Sequence, residues 1–163
     1  KCPRRFQSGL RPMSVGADFI IHTDGGSRGN PGPAALGVVI ESVSAQGGPR
    51  KAWEYGESIG IATNNDAEYQ AVIFALKKLK ALIGKAKAGH ASVLVQMDSE
   101  LIERQLNGHF KIMDERMGKY FIQIWNLKMD YGSVAFEHVY RESNSAADRM
   151  VNAALDKETN KLL

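Results

Sequence analysis

Residues 19–33 have the sequence FIIHTDGGSRGNPGP, in which one acidic residue separates an apolar segment from a glycine-rich one. The apolar residues predict a short β-strand, and the glycines and prolines that follow predict a loop. The strand is therefore expected to end at Asp24. In a sheet covered by helices, the ends of the strands open into the crevice where ligands bind, which makes Asp24 a candidate functional residue.

The rest of the chain alternates between strand-like and helix-like patterns. After two further strands, the spacing of apolar residues changes to the three- and four-residue steps of a helix. We predict strands over residues 36–43, 52–59, 92–97 and 133–140, a turn at 46–49, a helical stripe through 72–83, and helices over 101–106, 114–129 and 146–155, the last capped by Asn144 or Ser145. The first three strands have short links and predict an antiparallel meander, whereas the helix-linked later strands are expected to be parallel.

The composition is that of a globular domain preceded by a basic segment. The chain has 163 residues, of which 44% are hydrophobic, with a net charge of +3 and one cysteine. One cysteine excludes an internal disulfide framework, and no apolar run reaches the roughly 18 residues that a membrane span needs. The basic residues of the first 17 positions account for the positive charge, so the remainder is nearly neutral and bulk charge does not identify a partner.

Four carboxylates occupy positions of interest for chemistry. Asp24 and Asp98 each follow apolar strand residues, and either one taken alone is more often a solvated strand-end acid. Glu68 and Asp148 lie on the apolar faces of their helices, where an acid is costly without a positive partner. No lysine or arginine occupies those faces, so a divalent cation is the expected partner. Oxygen ligands without cysteine or histidine favour Mg²⁺ or Mn²⁺ and indicate metal-dependent phosphoryl chemistry.

Four sequence blocks resemble those of type 1 ribonuclease H, in the order of that family. They are residues 23–33 (TDGGSRGNPGP), 63–68 (TNNDAE), 98–99 (DS) and 141–148 (RESNSAAD). The resemblance covers residues 18–155 and implies a ribonuclease H-like α/β fold, a five-stranded mixed sheet flanked by helices. We therefore expect a catalytic domain over residues 18–157, between a flexible basic leader (1–17) and a C-terminal tail (158–163).

The resemblance also implies an activity and its site residues. The activity is endonucleolytic hydrolysis of the RNA strand of RNA–DNA hybrids, which leaves 5′-phosphate and 3′-hydroxyl ends. Two Mg²⁺ ions, for which Mn²⁺ can substitute, would be held by the four matched acids, Asp24, Glu68, Asp98 and Asp148. The residues that match the hybrid contacts of the family are Gly25, Gly26, Asn30, Asn64 and Asn65, and Thr63 and Ser99 are candidates for phosphate contacts. Amide side chains suit the 2′-hydroxyl, which both donates and accepts hydrogen bonds.

The sequence departs from the better-known family pattern at three places. Many members have glutamine where this chain has Glu100, so this position is left out of the binding set. Many have a catalytic histidine in the loop before the last acid, where the closest match is Arg141; we include Arg141 in the catalytic set, with His138 as the alternative. The basic protrusion that some members insert between the third and last acids is absent.

Two functions of different classes fit these observations. One is a metal-dependent endoribonuclease, and the other is a non-catalytic module of the same fold that binds hybrids or RNA. Retention of all four acids favours the enzyme, because a binding module has no reason to keep a repulsive cluster. We expect a cytoplasmic protein, a monomer, whose partner is an RNA–DNA hybrid and which does not contact membranes.

Overall fold

Helices cover a five-stranded sheet in this computed structural model, which describes residues 16–43 and 50–163. The strands are β1 (Phe19–Ser27), β2 (Gly32–Ser42), β3 (Ala52–Ala62), β4 (Ser92–Met97) and β5 (Ser133–His138). The helices are α1 (Asn64–Ile83), α2 (Lys85–Ala88), α3 (Glu100–Leu106), α4 (Glu115–Lys128) and α5 (Ser145–Lys161), and a short 3₁₀ helix (Arg141–Asn144) leads into α5.

The strands are ordered β3-β2-β1-β4-β5 across the sheet. β2 pairs antiparallel with both β1 and β3, whereas β4 is parallel to both β1 and β5. The predicted mixed sheet, a meander followed by parallel strands, is therefore confirmed. The pairing of β1 with β4 ends at Thr23 and Met97, one residue before Asp24 and Asp98. Both acids thus lie where two neighbouring strands separate, at one edge of the sheet.

The prediction that the first strand ends at Asp24 is wrong. β1 continues through the glycines to Ser27, and β2 begins at Gly32, before the predicted residue 36. Antiparallel pairing extends this far, with Gly25 opposite Leu36. Glycine has a low strand propensity, so the sequence pattern indicated a loop, but pairing with a buried neighbouring strand overrides that preference.

Other boundaries agree more closely, except at the C-terminus. β4 coincides with its prediction, and α3 and α4 begin and end within one residue of theirs, whereas β3 ends three residues later and β5 two residues earlier than predicted. The short helix α2 was not predicted. α5 runs to Lys161, so most of the expected tail over residues 158–163 is helical. The predicted turn at 46–49 and residues 1–15 of the expected leader lie outside the described residues.

The core lies between α1 and the sheet. The predicted helical stripe is fully buried at its central positions, which are Val72, Ala75, Leu76 and Leu79. They pack with the apolar residues of β1, β2 and β4 in one continuous cluster. Within residues 16–43 and 50–163, no helix combines the length and the apolar character that crossing a membrane requires.

Two helices contact the backbone of the sheet directly at glycines. A Cβ at Gly25 would lie 2.2 Å from the backbone of Ala67 in α1, and a Cβ at Gly37 would lie 2.1 Å from the carbonyl oxygen of Ala147 in α5. Such distances are far inside van der Waals contact, so only glycine permits these approaches. Each contact lies next to an acid of the candidate site, since Glu68 follows Ala67 and Asp148 follows Ala147 in the chain.

Candidate active site

Acidic side chains from separate elements meet at the edge where β1 and β4 separate. Asp24 lies in β1, Glu68 near the start of α1 and Asp98 directly after β4, and one oxygen of each carboxylate lies within 4.8 Å of the others. Asp148, from the first turn of α5, lines the same open cleft, whose volume is about 520 Å³. The structure therefore brings the four predicted acids to one place.

A hydrogen bond between two elements holds part of this arrangement, and the backbone N–H of Gly25 favours the ionised forms of Asp24 and Glu68. Asn144 is the N-cap residue of α5, but its side chain makes no capping hydrogen bond. Its amide nitrogen donates instead to the carbonyl oxygen of Thr23 in β1. The start of α5 is thus fastened to the strand that carries Asp24.

The acids disfavour one another's charged forms. Burial, followed by the negative charges of Asp98 and Asp148, raises the pKa of Asp24 to about 7. Burial and then the charge of Asp24 raise the pKa of Glu68 well above its usual range. Desolvation and like charges are the two general causes that keep a carboxyl group protonated. A cation bound among these side chains would reverse both effects.

One arginine approaches the cluster. Nε of Arg141 lies 3.9 Å from Oδ2 of Asp98, and the Arg141 side chain is 83% exposed. In the part of the chain that the structure describes, no other lysine, arginine or histidine lies within ion-pair distance of the four acids. A set of hard carboxylate oxygens with so little positive charge fits a divalent cation such as Mg²⁺ or Mn²⁺.

The two alternatives for the loop residue are placed differently. Arg141 begins the 3₁₀ helix before α5 and lines the cleft. His138 is the last residue of β5, where it pairs with Met97, and its ring packs edge-on against Tyr140 with the centroids 5.9 Å apart. His138 is not among the residues that line the cleft. The geometry favours Arg141 as the group that meets a substrate, and its role stays a prediction.

Two predicted binding residues bridge the first loop and α1. Oδ1 of Asn30 accepts the backbone N–H of Asn64 at 3.0 Å, and Oδ1 of Asn64 accepts the backbone N–H of Ser27 at 2.9 Å. With both amide oxygens engaged, the two NH₂ groups remain as donors. Asn64 lines the cleft together with Gly25 and Gly26. These side chains therefore fix the loop and present donors at the same time.

The other predicted binding residues include two helix caps. Thr63 forms a capping box with Asp66 at the start of α1, and its hydroxyl also donates to Oδ2 of Asp66 at 2.8 Å. Ser99 caps α3 by accepting the N–H of Ile102 at 3.4 Å, and it lines the cleft. Asn65 is exposed in the first turn of α1. The hydroxyl of Thr63 is thus already engaged, which leaves Ser99 as the better placed of the two for a phosphate.

The sequence analysis missed several residues that line the cleft, among them Asn152 and Arg28. Asn152 lies one turn after Asp148 on α5 and donates to the Asp148 carbonyl oxygen at 3.1 Å, and its four-residue spacing from that acid was an available signal. Arg28 forms an ion pair with Asp156, with Nη2 2.5 Å from Oδ1. No local pattern reveals this pair, because its members are 128 residues apart in the chain.

Known proteins are similar to this chain in both sequence and fold. The family described as "Reverse transcriptase-like" matches residues 22–154. The solved structure of LC11-RNase H1 in complex with an RNA/DNA hybrid is 42% identical and superposes with a TM-score of 0.77, covering 86% of this chain and 99% of that one. The chain belongs to the type 1 ribonuclease H family. This membership confirms the family and the fold that the four sequence blocks predicted.

Other relatives of this chain differ from it in length. Ribonuclease HI of Halobacterium salinarum is 40% identical over 141 residues, which are 86% of this chain and 66% of that protein. The bifunctional protein Rv2228c of Mycobacterium tuberculosis is 36% identical over 137 residues, 84% of this chain but 35% of that protein. The chain therefore spans about a third of the length of its mycobacterial relatives and two thirds of the halobacterial one.

Proposed function

We propose that this protein hydrolyses the RNA strand of RNA–DNA hybrids as an endonuclease, leaving 5′-phosphate and 3′-hydroxyl ends. The observation that carries the proposal is the convergence of Asp24, Glu68 and Asp98 within 4.8 Å, in a cleft that Asp148 also lines. LC11-RNase H1, which shares this fold at 42% identity, has been solved with an RNA/DNA hybrid. The reaction adds water to phosphorus and breaks the bond to the 3′ oxygen.

The four acids are proposed to bind two Mg²⁺ ions, with Mn²⁺ as a substitute. When bound, two such ions supply activation of the attacking water and stabilisation of the leaving oxygen. The protein's part is to hold three carboxylates within 4.8 Å and a fourth in the same cleft, although burial and mutual repulsion raise the pKa of Asp24 and of Glu68. This repulsion favours occupation of the site by a cation.

Recognition of RNA is assigned to the loop between β1 and β2 and to the start of α1. The NH₂ groups of Asn30 and Asn64 can donate to a 2′-hydroxyl oxygen, which DNA lacks. Gly25 and Gly26 line the cleft and are proposed to contact the sugar edge through their backbone, and Asn65 extends the polar surface. Ser99 and Arg141, which line the cleft, are proposed to contact phosphates of the substrate, with Thr63 as a further candidate.

We also propose that the protein works as a monomer in the cytoplasm. Each copy of the chain supplies the four acids of the cleft, so the proposed site needs no residue of a second copy. The single cysteine suits a reducing compartment. Light scattering on the purified protein tests the first point, with the mass of one chain as the expected result.

A cleavage assay tests the proposed activity. A hybrid with a labelled RNA strand is incubated with the protein and Mg²⁺, with EDTA in a parallel reaction and with duplex DNA and duplex RNA as control substrates. Only the hybrid is expected to be cut, only in its RNA strand and only without EDTA. Asp98→Asn removes an anionic ligand and is expected to lower cleavage at least a hundredfold while the far-UV spectrum stays unchanged. Binding of the hybrid without cleavage by the wild type would indicate the non-catalytic module instead.

A further inference from the structure

An ion pair joins the loop between β1 and β2 to the C-terminal half of α5. Nη2 of Arg28 lies 2.5 Å from Oδ1 of Asp156, and Nη1 donates to Oγ1 of Thr159 at 3.5 Å. The same arginine lines the cleft that holds the four acids. Arg28 is thus a cation whose position on the cleft wall is fixed by α5, the helix that also carries Asp148.

The backbone that carries Arg28 is also fixed. Its N–H donates to the carbonyl oxygen of Pro33 at 2.8 Å, which closes the loop. The neighbouring N–H of Ser27 donates to Asn64 at the start of α1. The loop therefore spans the cleft between α1 and α5, with hydrogen bonds to both helices.

This ion pair does more for position than for folding stability. The side chains of Arg28 and Asp156 are 43% and 64% exposed, and exposed pairs contribute little to the free energy of unfolding because water and salt screen them. A guanidinium has five N–H donors in a planar fork, and the bonds to Asp156 and Thr159 leave donors for another anion. Asp156 therefore orients a group that can still bind.

The charge around the cleft indicates what Arg28 binds. Four acids line the cleft, and they repel a polyanionic backbone. Among the described residues that line it, the cations are Arg28 and Arg141, and Arg141 lies against Asp98 in the cluster itself. Arg28 lies on the α5 side of the cleft, so its charge is available to an anion outside the acidic cluster.

We propose that Arg28 binds a backbone phosphate of the strand that occupies the cleft, next to the phosphate that is cleaved, and that Asp156 is its positioning residue. The inference rests on the proposed function, which makes that strand the RNA of a hybrid. Neither residue takes part in the chemical step. Their contribution is to substrate affinity and to its dependence on salt.

Binding measurements separate the charge of Arg28 from its orientation. Fluorescence anisotropy with a labelled hybrid is recorded in the Asp98→Asn background between about 50 and 200 mM salt. Arg28→Ala is expected to weaken binding about tenfold and to reduce the slope of log affinity against log salt by about 0.7–0.9, the loss of one phosphate contact. Arg28→Lys keeps the charge and is expected to keep the slope.

The positioning residue and a control complete the set. Asp156→Asn is expected to weaken binding about threefold with the slope unchanged, because the guanidinium remains but is less ordered. Lys161→Ala is the control, since Lys161 is an exposed cation on the same helix, paired with Glu158 at 3.0 Å and not among the residues that line the cleft. With Asp98 intact, Arg28→Ala should raise KM about tenfold and leave kcat within about threefold.

Each outcome has a distinct meaning. If Arg28→Ala matches Lys161→Ala in affinity and slope while the wild type cleaves the hybrid, the inference fails and the proposed function stands. If Asp156→Asn reduces the slope of log affinity against log salt as Arg28→Ala does, the positioning role is contradicted. Hybrid binding that depends on Arg28 without any cleavage by the wild type overturns the proposed function alone, and no binding of the hybrid overturns both.

Discussion

The side-chain amide of Asn144 donates a hydrogen bond to the carbonyl oxygen of Thr23 at 2.9 Å, across 121 residues of chain. Asn144 is only 1% exposed, and Thr23 is fully buried. One partner immediately precedes Asp24, and the other precedes the helix that carries Asp148. This bond therefore links two acids of the proposed metal site through the backbone to which each belongs.

Asn144→Ala is expected to lower both stability and metal affinity. The carbonyl of Thr23 would lose its buried donor, which costs about 1–3 kcal/mol in the free energy of unfolding. Denaturant unfolding measures this loss, and calorimetric titration with Mg²⁺ measures the affinity. Asn126→Ala, at an exposed position of α4, serves as the control and should stay within about 0.5 kcal/mol of wild type. Unchanged Mg²⁺ affinity in Asn144→Ala would show that this bond does not position Asp148.

The acidic cluster should make the metal-free protein more stable as the pH falls from about 8 to about 5. The pKa of Asp24 is raised to about 7 in the folded state, so the folded protein holds a proton that the unfolded chain, with a pKa near 3.9, has released. The stabilisation is complete below the unfolded pKa and is lost as the pH rises through the folded value, on the order of a few kcal/mol.

Asp24→Asn removes this carboxyl group together with the charge that raises the pKa of Glu68, so it tests the repulsion within the cluster. The difference in the free energy of unfolding between Asp24→Asn and wild type, measured in EDTA, should be larger at pH 8 than at pH 5. Parallel curves for the two proteins would contradict the raised pKa. Saturating Mg²⁺ should abolish the advantage of the variant, since a bound cation stabilises the ionised carboxylates of the wild type.

Arg141→Ala is expected to lower turnover without changing the shape of its pH profile. A guanidinium cannot release a proton in the neutral range, so its loss removes attraction for a phosphate and no titrating group. Rates are measured in Mg²⁺ across the neutral range, with Arg149→Ala, an exposed arginine of α5, as the control. His138→Ala should have little effect. A large loss in His138→Ala, together with a vanished acidic limb, would assign the role to the histidine.

Gly37→Ala should destabilise the protein and impair cleavage together. The added Cβ would lie 2.1 Å from the carbonyl oxygen of Ala147, so α5 must move away from the sheet, at about 1–3 kcal/mol. Gly118→Ala is the matched control: its Cβ would meet nothing within 4 Å near the start of α4, and it should stabilise by at most about 0.5–1 kcal/mol. Thermal unfolding and cleavage rates of the two variants give the comparison, and a fully active Gly37→Ala would contradict it.

The elements that the sequence predicted well are those whose pattern follows from burial. β4 is a short apolar segment, and α1 carries a strict helical stripe, so both were predictable from periodicity. The last turns of α5 were not, because residues 157–161 are polar on every side and form no apolar face. The extension of β1 past Asp24 also gave no signal, since Gly25 is held in the strand by its pairing with Leu36.

The residues of the candidate site also differ in whether a local sequence pattern could predict them. Glu68 and Asp148 could be selected because an acid on an apolar helix face is conspicuous in a sequence. The engagement of Thr63 in a capping box was also readable, from the aspartate three residues later. The pairing of Arg28 with Asp156 was not, because it depends on how far α5 extends and on where the loop after β1 lies against it.

The contacts at Gly25 and Gly37 have a consequence for how the sequence can change. Main chain lies directly against main chain at both places, so the helices approach the sheet beside Glu68 and Asp148 with no large side chain between the two backbones. Exchanges among aliphatic residues deeper in the interior can alter the melting temperature while the spacing of the acids stays the same. The aliphatic residues of the interior can therefore change during evolution with less effect on the positions of the acids, as long as positions 25 and 37 remain glycine.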